Sequence, residues 1–169
     1  FKPDSAMAYS QRGLAQRKLG LLKAAFEDYQ QALRLDPYNS DNYQIHNNLA
    51  SIRLDAGDNE GAIEDALNAI QINSKISGPY INLATAYDNL GDFEKAIDYY
   101  SHALTLDPAN PAIYLERGLA YDNNGKKDMA LKDYQNALRL APPNWPSWQR
   151  AQTLLNELPQ GTGPNQTPK

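Results

Sequence analysis

Between Ser77 and Asn110 the chain reads SGPYINLATAYDNLGDFEKAIDYYSHALTLDPAN, and its apolar and small residues fall at three- and four-residue intervals on both sides of Gly91. Leu83, Ala84 and Tyr87 form one run; Ala96, Tyr100, Ala103 and Leu104 form the other. A stripe at that spacing predicts an amphipathic helix, so the pattern predicts two helices broken at the glycine. Ala84, Ala96 and Ala103 are small enough for two helix backbones to approach closely, while Tyr80, Tyr87 and Tyr100 fill the remaining volume with rings. Asp92 can accept from unpaired N–H groups at the start of the second helix, and Glu94 adds negative charge to its first turn. Pro108 ends that helix by disfavouring the helical conformation at Asp107. Such a hairpin cannot bury its apolar faces alone and calls for neighbours of the same kind.

The neighbours are present. Gly20, Gly57, Gly91 and Gly125 mark the break in four units; Ala25, Ala62, Ala96 and Ala130 follow five residues later, and Ala32, Ala69, Ala103 and Ala137 twelve later. The step between glycines is 34 residues twice and 37 once, which places three extra residues in the connection between Tyr38 and Asn42. Tyr29, Ala66, Tyr100 and Tyr134 share one register; Pro37, Ser74, Pro108 and Pro142 share another. Over Ala6 to Pro142 the chain resembles the tetratricopeptide repeat family, whose members stack helix pairs of this period. The resemblance implies an all-α fold, a right-handed α-solenoid of antiparallel helix pairs. Its units are expected at 6–39, 40–76 with the short insertion 40–42, 77–110 and 111–143.

Departures from the family pattern have local consequences. The second unit carries His46 where an aromatic is usual, Arg53 for a tyrosine, Ala66 for a large ring and Ser74 for the closing proline, so it is expected to be the least tightly packed. The first unit has Gln16 at the position of Tyr87 and Tyr121, and Leu21 and Leu22 where Asp58 and Asp92 cap later helices, which predicts a weaker helix start.

The flanks complete the outline. Pro3 stands 34 residues before Pro37, so residues 1–5 read as the tail of a preceding repeat and the chain as a segment of a longer protein. Asp4 or Ser5 can cap the first helix. Asn144 to Leu158 reads as a capping helix with Trp145, Trp148, Leu154, Leu155 and Leu158 turned to the last repeat, as a solenoid end requires. Residues 159–169, PQGTGPNQTPK, offer no large apolar side chain and are expected to form a disordered tail or linker.

Composition narrows the function. The 169 residues are 41% apolar with a net charge of -4, an acidic balance that argues against nucleic acid as a partner, which needs a clustered basic face. No apolar run approaches the ~20 residues that span a bilayer, so direct membrane insertion is not expected. The absence of cysteine rules out a disulfide framework and a thiolate metal site. It does not fix the compartment, although a soluble segment of this kind suits the cytoplasm.

Candidate chemistry is sparse. His46 and His102 lie in different repeats with no converging ligands, and no serine sits in a nucleophile motif. Neither enzymatic activity nor a cofactor or metal is expected. The tyrosines fall where the family packs rings between helices, which assigns them to the core rather than to a stacking platform.

In this family the first helix of each pair lines a concave groove. The register implies that Ser10, Gln11, Leu14 and Arg17, then Asn47, Asn48, Ser51 and Leu54, then Ile81, Asn82, Thr85 and Asp88, then Leu115, Glu116, Leu119 and Asp122 face it. Of these, Gln11, Asn47, Asn48, Ser51, Asn82, Thr85, Asp88, Glu116 and Asp122 are the candidate peptide-binding residues. Asn48 and Asn82 hold the same register in adjacent repeats, and a carboxamide offers both a donor and an acceptor to a peptide backbone. They resemble the asparagine ladder of superhelical members such as the protein-glycosylating transferase and motor light chains; solvated polar residues on a helix are the alternative. The carboxylate clamp of chaperone co-factors is not matched: the two possible registers, Ser10, Leu14, Asn48, Gly78 and Asn82, or Asn47, Ser51, Asn82, Ala112 and Glu116, hold no cation. The expected function is a non-catalytic scaffold that binds a protein or peptide segment in the groove. The alternatives are the recognition arm of a multidomain enzyme and a self-associating structural scaffold.

Overall fold

The computed structural model describes residues 5–158. The expected preceding-repeat tail, the Asp4 cap and the 159–169 tail or linker lie outside the described residues, apart from Ser5. Nine helices follow one another there: α1 Ala6–Lys18, α2 Leu22–Leu35, α3 Asn42–Asp55, α4 Asn59–Ile72, α5 Ser77–Asn89, α6 Phe93–Leu106, α7 Pro111–Asn123, α8 Lys127–Leu140 and α9 Trp148–Glu157. Each odd-numbered helix from α1 to α7 pairs with the helix that follows it.

The hairpin turns explain the repeated glycine. Gly20, Gly57, Gly91 and Gly125 all have φ between 73° and 79°, the left-handed region that a side chain disfavours. A Cβ there would meet no neighbour, so backbone conformation rather than space selects glycine. In the first turn Gly20 N–H donates to Arg17 O at 3.0 Å and Leu21 N–H to Gln16 O at 2.9 Å, and the equivalent outer bond recurs from Asp58, Asp92 and Lys126. This Schellman arrangement satisfies carbonyls that the helix end leaves unpaired. At the next helix start, Asp58 and Asp92 accept from the Gly61 and Lys95 N–H groups, whereas Leu21 supplies no side-chain bond, as the sequence predicts; Lys126 supplies none either.

Small residues seat the rings. Ala25, Ala62, Ala96 and Ala130 are all fully buried beside the hairpin crossings. Gly13 and Gly118 lie under Tyr29 and Tyr134, where a Cβ would come within 2.9 Å and 2.6 Å of the ring. The core is therefore a chain of local clusters, as expected of a solenoid in which repeats touch only their neighbours.

The second hairpin is not simply a weakened unit. Its two polar departures converge on one carboxylate: His46 Nδ1 lies 2.8 Å from Asp65 Oδ1, and Arg53 Nε lies 2.8 Å from Asp65 Oδ2 while Arg53 also reaches Asp58 at 2.6 Å. In the first and fourth hairpins the same Asp position is instead clamped by an arginine eight residues before the glycine. Arg12 grips Asp28 through two bonds of 2.6 Å, and Arg117 grips Asp133 at 2.7 and 2.8 Å. The third hairpin replaces the pair with Leu83 and Tyr99, and Tyr99 stacks on Tyr87 with centroids 5.6 Å apart. The sparsest junction lies between the first and second hairpins, where α2 meets α3 across the insertion. There Tyr38 is 96% exposed, while the Asn42 amide is buried and donates to Asp36 O at 2.8 Å.

At the C-terminus the capping helix begins at Trp148 rather than Asn144. Pro146 disfavours helix at Trp145, and two turns bridge the gap, Trp145 N–H to Pro142 O and Trp148 N–H to Trp145 O. Trp145, Leu154, Leu155 and Leu158 pack on α7 and α8, but Trp148 is 43% exposed and does not face the last repeat as expected. Starting four residues later leaves it at the edge of the contact.

Candidate functional site

The odd-numbered helices form the inner face. Besides pairing within hairpins, α3 touches α5 and α5 touches α7, whereas no two successive even-numbered helices are in comparable contact. Curvature toward the more closely spaced set makes the surface of α3, α5 and α7 concave, and all the candidate residues but Gln11 lie on these three helices.

In the first half of this surface the polar side chains satisfy one another. Asn48 donates to the Tyr29 hydroxyl at 3.1 Å and accepts from Arg17 at 3.4 Å, while Arg17 also donates to Ser51 Oγ at 2.9 Å. Burial raises the pKa of the Tyr29 phenol, with Arg17 and the Asn48 bond opposing. Asn82 donates both to Asn47 O at 3.0 Å and to Asn47 Oδ1 at 2.9 Å. Identical register therefore does not give identical environment. One repeat earlier Asn48 finds the ring of Tyr29 beneath it, but Asn82 stands over Ala66, which has no hydroxyl, and turns to Asn47 instead. Asn47 and Asn48 line a hollow of about 300 Å³ with Leu14, Tyr43, Gln44 and Ile76.

Thr85 bonds Ile81 O and shares a 2.9 Å contact with the Tyr100 hydroxyl. Beyond it the surface turns acidic. Burial raises the pKa of both Asp88 and Glu116; Asn123 opposes the rise at Asp88, and Arg150 opposes it at Glu116 while Asp88 reinforces it. Arg150 reaches over from α9 to 3.5 Å from Glu116. Asp122 is half-buried on the same helix as Glu116 and adds to the negative potential felt by Tyr134.

Two residues expected to face the groove are placed apart from this strip. Gln11 is exposed at the start of the solenoid, where it lines a separate hollow of about 390 Å³ with Ser10, Asp36 and Asn42. Leu115, expected to face the groove, is 1% exposed beneath the capping helix. The sequence reading also missed Arg150 and the phenolic hydroxyls, which reach the groove floor from outside its own helices. The register of Tyr29, Tyr100 and Tyr134 was a usable signal for the latter.

The histidines do not contribute a site: His46 serves Asp65, and His102 packs its ring 4.2 Å from that of Tyr80 on an exposed edge. Among the described residues no helix is long and apolar enough to cross a membrane.

Comparison with known proteins agrees with this architecture. Tetratricopeptide repeat models match residues 6–39, 79–110 and 111–144, and a second model of the same repeat matches 43–76. No curated protein sequence matches the chain significantly. Among solved structures, the MamA protein is 28% identical, with a TM-score of 0.72 over 82% of this chain and 74% of that one. TTC0263, a thermophilic protein of Thermus thermophilus, is 22% identical with a TM-score of 0.72 over 91% of this chain and 81% of its own. A chain of the APC/C hetero-tetramer Cut9-Hcn1 is 22% identical with a TM-score of 0.81, over 92% of this chain but 30% of that one. With four matched repeats spanning most of its length, the chain belongs to the tetratricopeptide repeat family.

Proposed function

We propose that this chain is a non-catalytic protein-interaction module that holds an extended peptide in its concave groove, across α3, α5 and α7. Tetratricopeptide repeats commonly mediate protein–protein interaction, and the groove supplies the means of doing so here. One observation carries the reading: the carboxamides of Asn48 and Asn82 are held from within the chain, by Tyr29 and by Asn47, at the centre of the inner face. Held amide groups lose little further side-chain freedom on binding, so their contribution is not offset by ordering. Both N–H groups of Asn82 are engaged, so its carboxamide oxygen is the atom offered to a peptide N–H, whereas the Asn48 oxygen already accepts from Arg17 at 3.4 Å and offers a ligand its remaining lone pair and its second N–H. The half-buried Ser51 and Thr85 hydroxyls on the same face extend the strip.

The test begins with a peptide selected from a random display library on the intact chain. That peptide is titrated calorimetrically against wild type, Asn48→Ala, Asn82→Ala and the double variant. Each single substitution is expected to weaken binding by about 1–3 kcal/mol, because it leaves a peptide N–H unpaired in a shielded position. Unchanged affinity in all three variants removes the asparagines from the binding surface.

A further inference from the structure

Helices α1, α3, α5 and α7 carry four arginines, and three of these face a carboxylate. Arg12 lies 2.6 Å from Asp28, Arg53 lies 2.6 Å from Asp58 and 2.8 Å from Asp65, and Arg117 lies 2.7 Å from Asp133. Arg17 differs. Its guanidinium reaches from α1 across to α3, where Nη1 donates to Asn48 Oδ1 at 3.4 Å and Nη2 to Ser51 Oγ at 2.9 Å. Both acceptors are neutral, and the ion pairs among the described residues leave Arg17 out.

The surroundings hold this cation in place without neutralising it. Asn48, which accepts from Arg17, is anchored from below by donating to the Tyr29 hydroxyl at 3.1 Å, and Tyr29 is itself fully buried. The half-buried Arg17 is pinned at both terminal nitrogens, so it loses little further freedom when a ligand meets it. Two of the five guanidinium N–H donors are used in this way; three remain, and Asn48 keeps a second N–H beside them. Asn48 is also a wall of the hollow of about 300 Å³ that Leu14 and Ile76 line, which leaves room for a ligand chain next to the guanidinium. At the other end of the strip, Asp88, Glu116 and Asp122 would repel an anion, since like charges brought together across an interface are costly.

We propose that Arg17, with Asn48 beside it, is the subsite for a carboxylate of the bound peptide, supplied by an acidic side chain or by the peptide's C-terminus. A planar guanidinium matches the two oxygens of a carboxylate, and hydrogen bonds between charged partners are shorter and stronger than neutral ones. Arg17 belongs to neither of the two clamp registers that lack a cation, so the contact is distinct from the chaperone-type clamp. The subsite rests on the peptide-groove reading and gives it a direction: the acidic group of the ligand lies where α1 meets α3.

The probes are a peptide Gly-Ser-Gly-Glu-Gly-Ser-Gly capped at both ends, its glutamine counterpart, and the glutamine peptide with a free C-terminal carboxylate. Each is titrated into the isotopically labelled chain, and amide shifts are followed together with the Arg17 Nε–H signal. At least one of the two carboxylate-bearing peptides is expected to give saturable shifts at Arg17 Nε–H, Asn48 and Ser51, and to bind about five-fold or more tightly than the capped glutamine peptide. The glutamate and free-terminus arms distinguish a side-chain from a C-terminal source. Arg17→Gln removes the advantage of the carboxylate. Comparison of charged and neutral peptides on the wild-type chain needs no variant, so it decides the matter even where Arg17→Gln fails to fold. Equal affinity for charged and neutral peptides, no saturable shift with either carboxylate, or an advantage that persists in folded Arg17→Gln each overturns the subsite. The groove reading is judged separately by Asn82→Ala with the library peptide, because Asn82 bonds Asn47 and not Arg17, so loss of the subsite leaves it standing.

Discussion

The two halves of the inner face solve the same problem in opposite ways. Around Arg17, Asn48 and Ser51 the polar groups bond one another, so that half is held in shape by the chain itself. Toward the other end of the same scaffold, Asp88 Oδ1 and the Tyr134 hydroxyl are buried without a hydrogen-bond partner. The difference comes from a few side chains: Tyr29 is satisfied by Asn48 of the following repeat and Tyr100 by Thr85 of its own, whereas Tyr134 has Leu119 at the Thr85 register, and position 116 carries a carboxylate where the two preceding repeats place Asn48 and Asn82. A repeat architecture can thus vary what each stretch of its groove offers without altering the backbone that carries it.

The largest expected effect comes from the element that closes the acidic half. Deleting residues 144–169 removes Trp145, Leu154, Leu155 and Leu158 from their packing and uncovers Leu115, Ala130 and Tyr134. Full burial of one such side chain contributes about 1.5–3 kcal/mol, so even partial burial of four implies a loss of about 4 kcal/mol or more. In a chain of this size that lowers the melting midpoint by about 8 °C or more, or leads to aggregation. A monomeric truncated chain with an unchanged midpoint would show that α9 is not an end cap and that the two halves do not depend on it differently.

A smaller loss is expected at Gly118. Its missing Cβ leaves room for the Tyr134 ring, which would otherwise stand 2.6 Å away. Alanine at a helical position gains up to ~1 kcal/mol in propensity over glycine, but overpacking a buried ring costs about 1–3 kcal/mol. Gly118→Ala should therefore destabilise by about 1–2 kcal/mol in denaturant unfolding. Gly13→Ala, whose contact with Tyr29 is 2.9 Å, should cost less. The reverse order would mean that the fourth hairpin is the looser of the two.

The smallest effect carries the electrostatic contrast. Because burial raises the folded-state pKa of Asp88, the folded chain binds its proton more tightly than the unfolded chain does, and stability attributable to this group falls as pH rises from the unfolded carboxylate value through the folded one. Asp88→Asn should thus raise the melting midpoint slightly at neutral pH, and the gain should vanish at a pH below both values. A loss of stability at neutral pH would instead mean that ionised Asp88 is satisfied within the chain.

Much of the fold was legible because the repeat states it several times. Helix pairs and glycine turns follow from local rules that each unit repeats, and the Asp58 and Asp92 caps from the residue that follows the glycine in two of them. Groove bonding was legible only as position. Whether Asn48 and Asn82 act alike depends on what lies beneath them in the previous repeat, Tyr29 or Ala66, a pairing across the stack that register within one unit does not reveal. The second hairpin shows the same limit. His46 and Arg53 read singly as losses of packing, yet together they hold Asp65. Trp148 was misplaced because apolar character alone does not say where a proline-delayed helix begins.

The central claim is that binding occurs on the concave face, and amide-shift mapping of the intact chain with the library-selected peptide tests it most directly. The account predicts that the largest changes run along α3, α5 and α7, at Asn48, Ser51, Asn82, Thr85 and Glu116, while outward-facing Leu67 and Met129 and the turn residues Leu19 and Leu21 stay unmoved. Largest changes at those outer positions, with the concave helices silent, would contradict it.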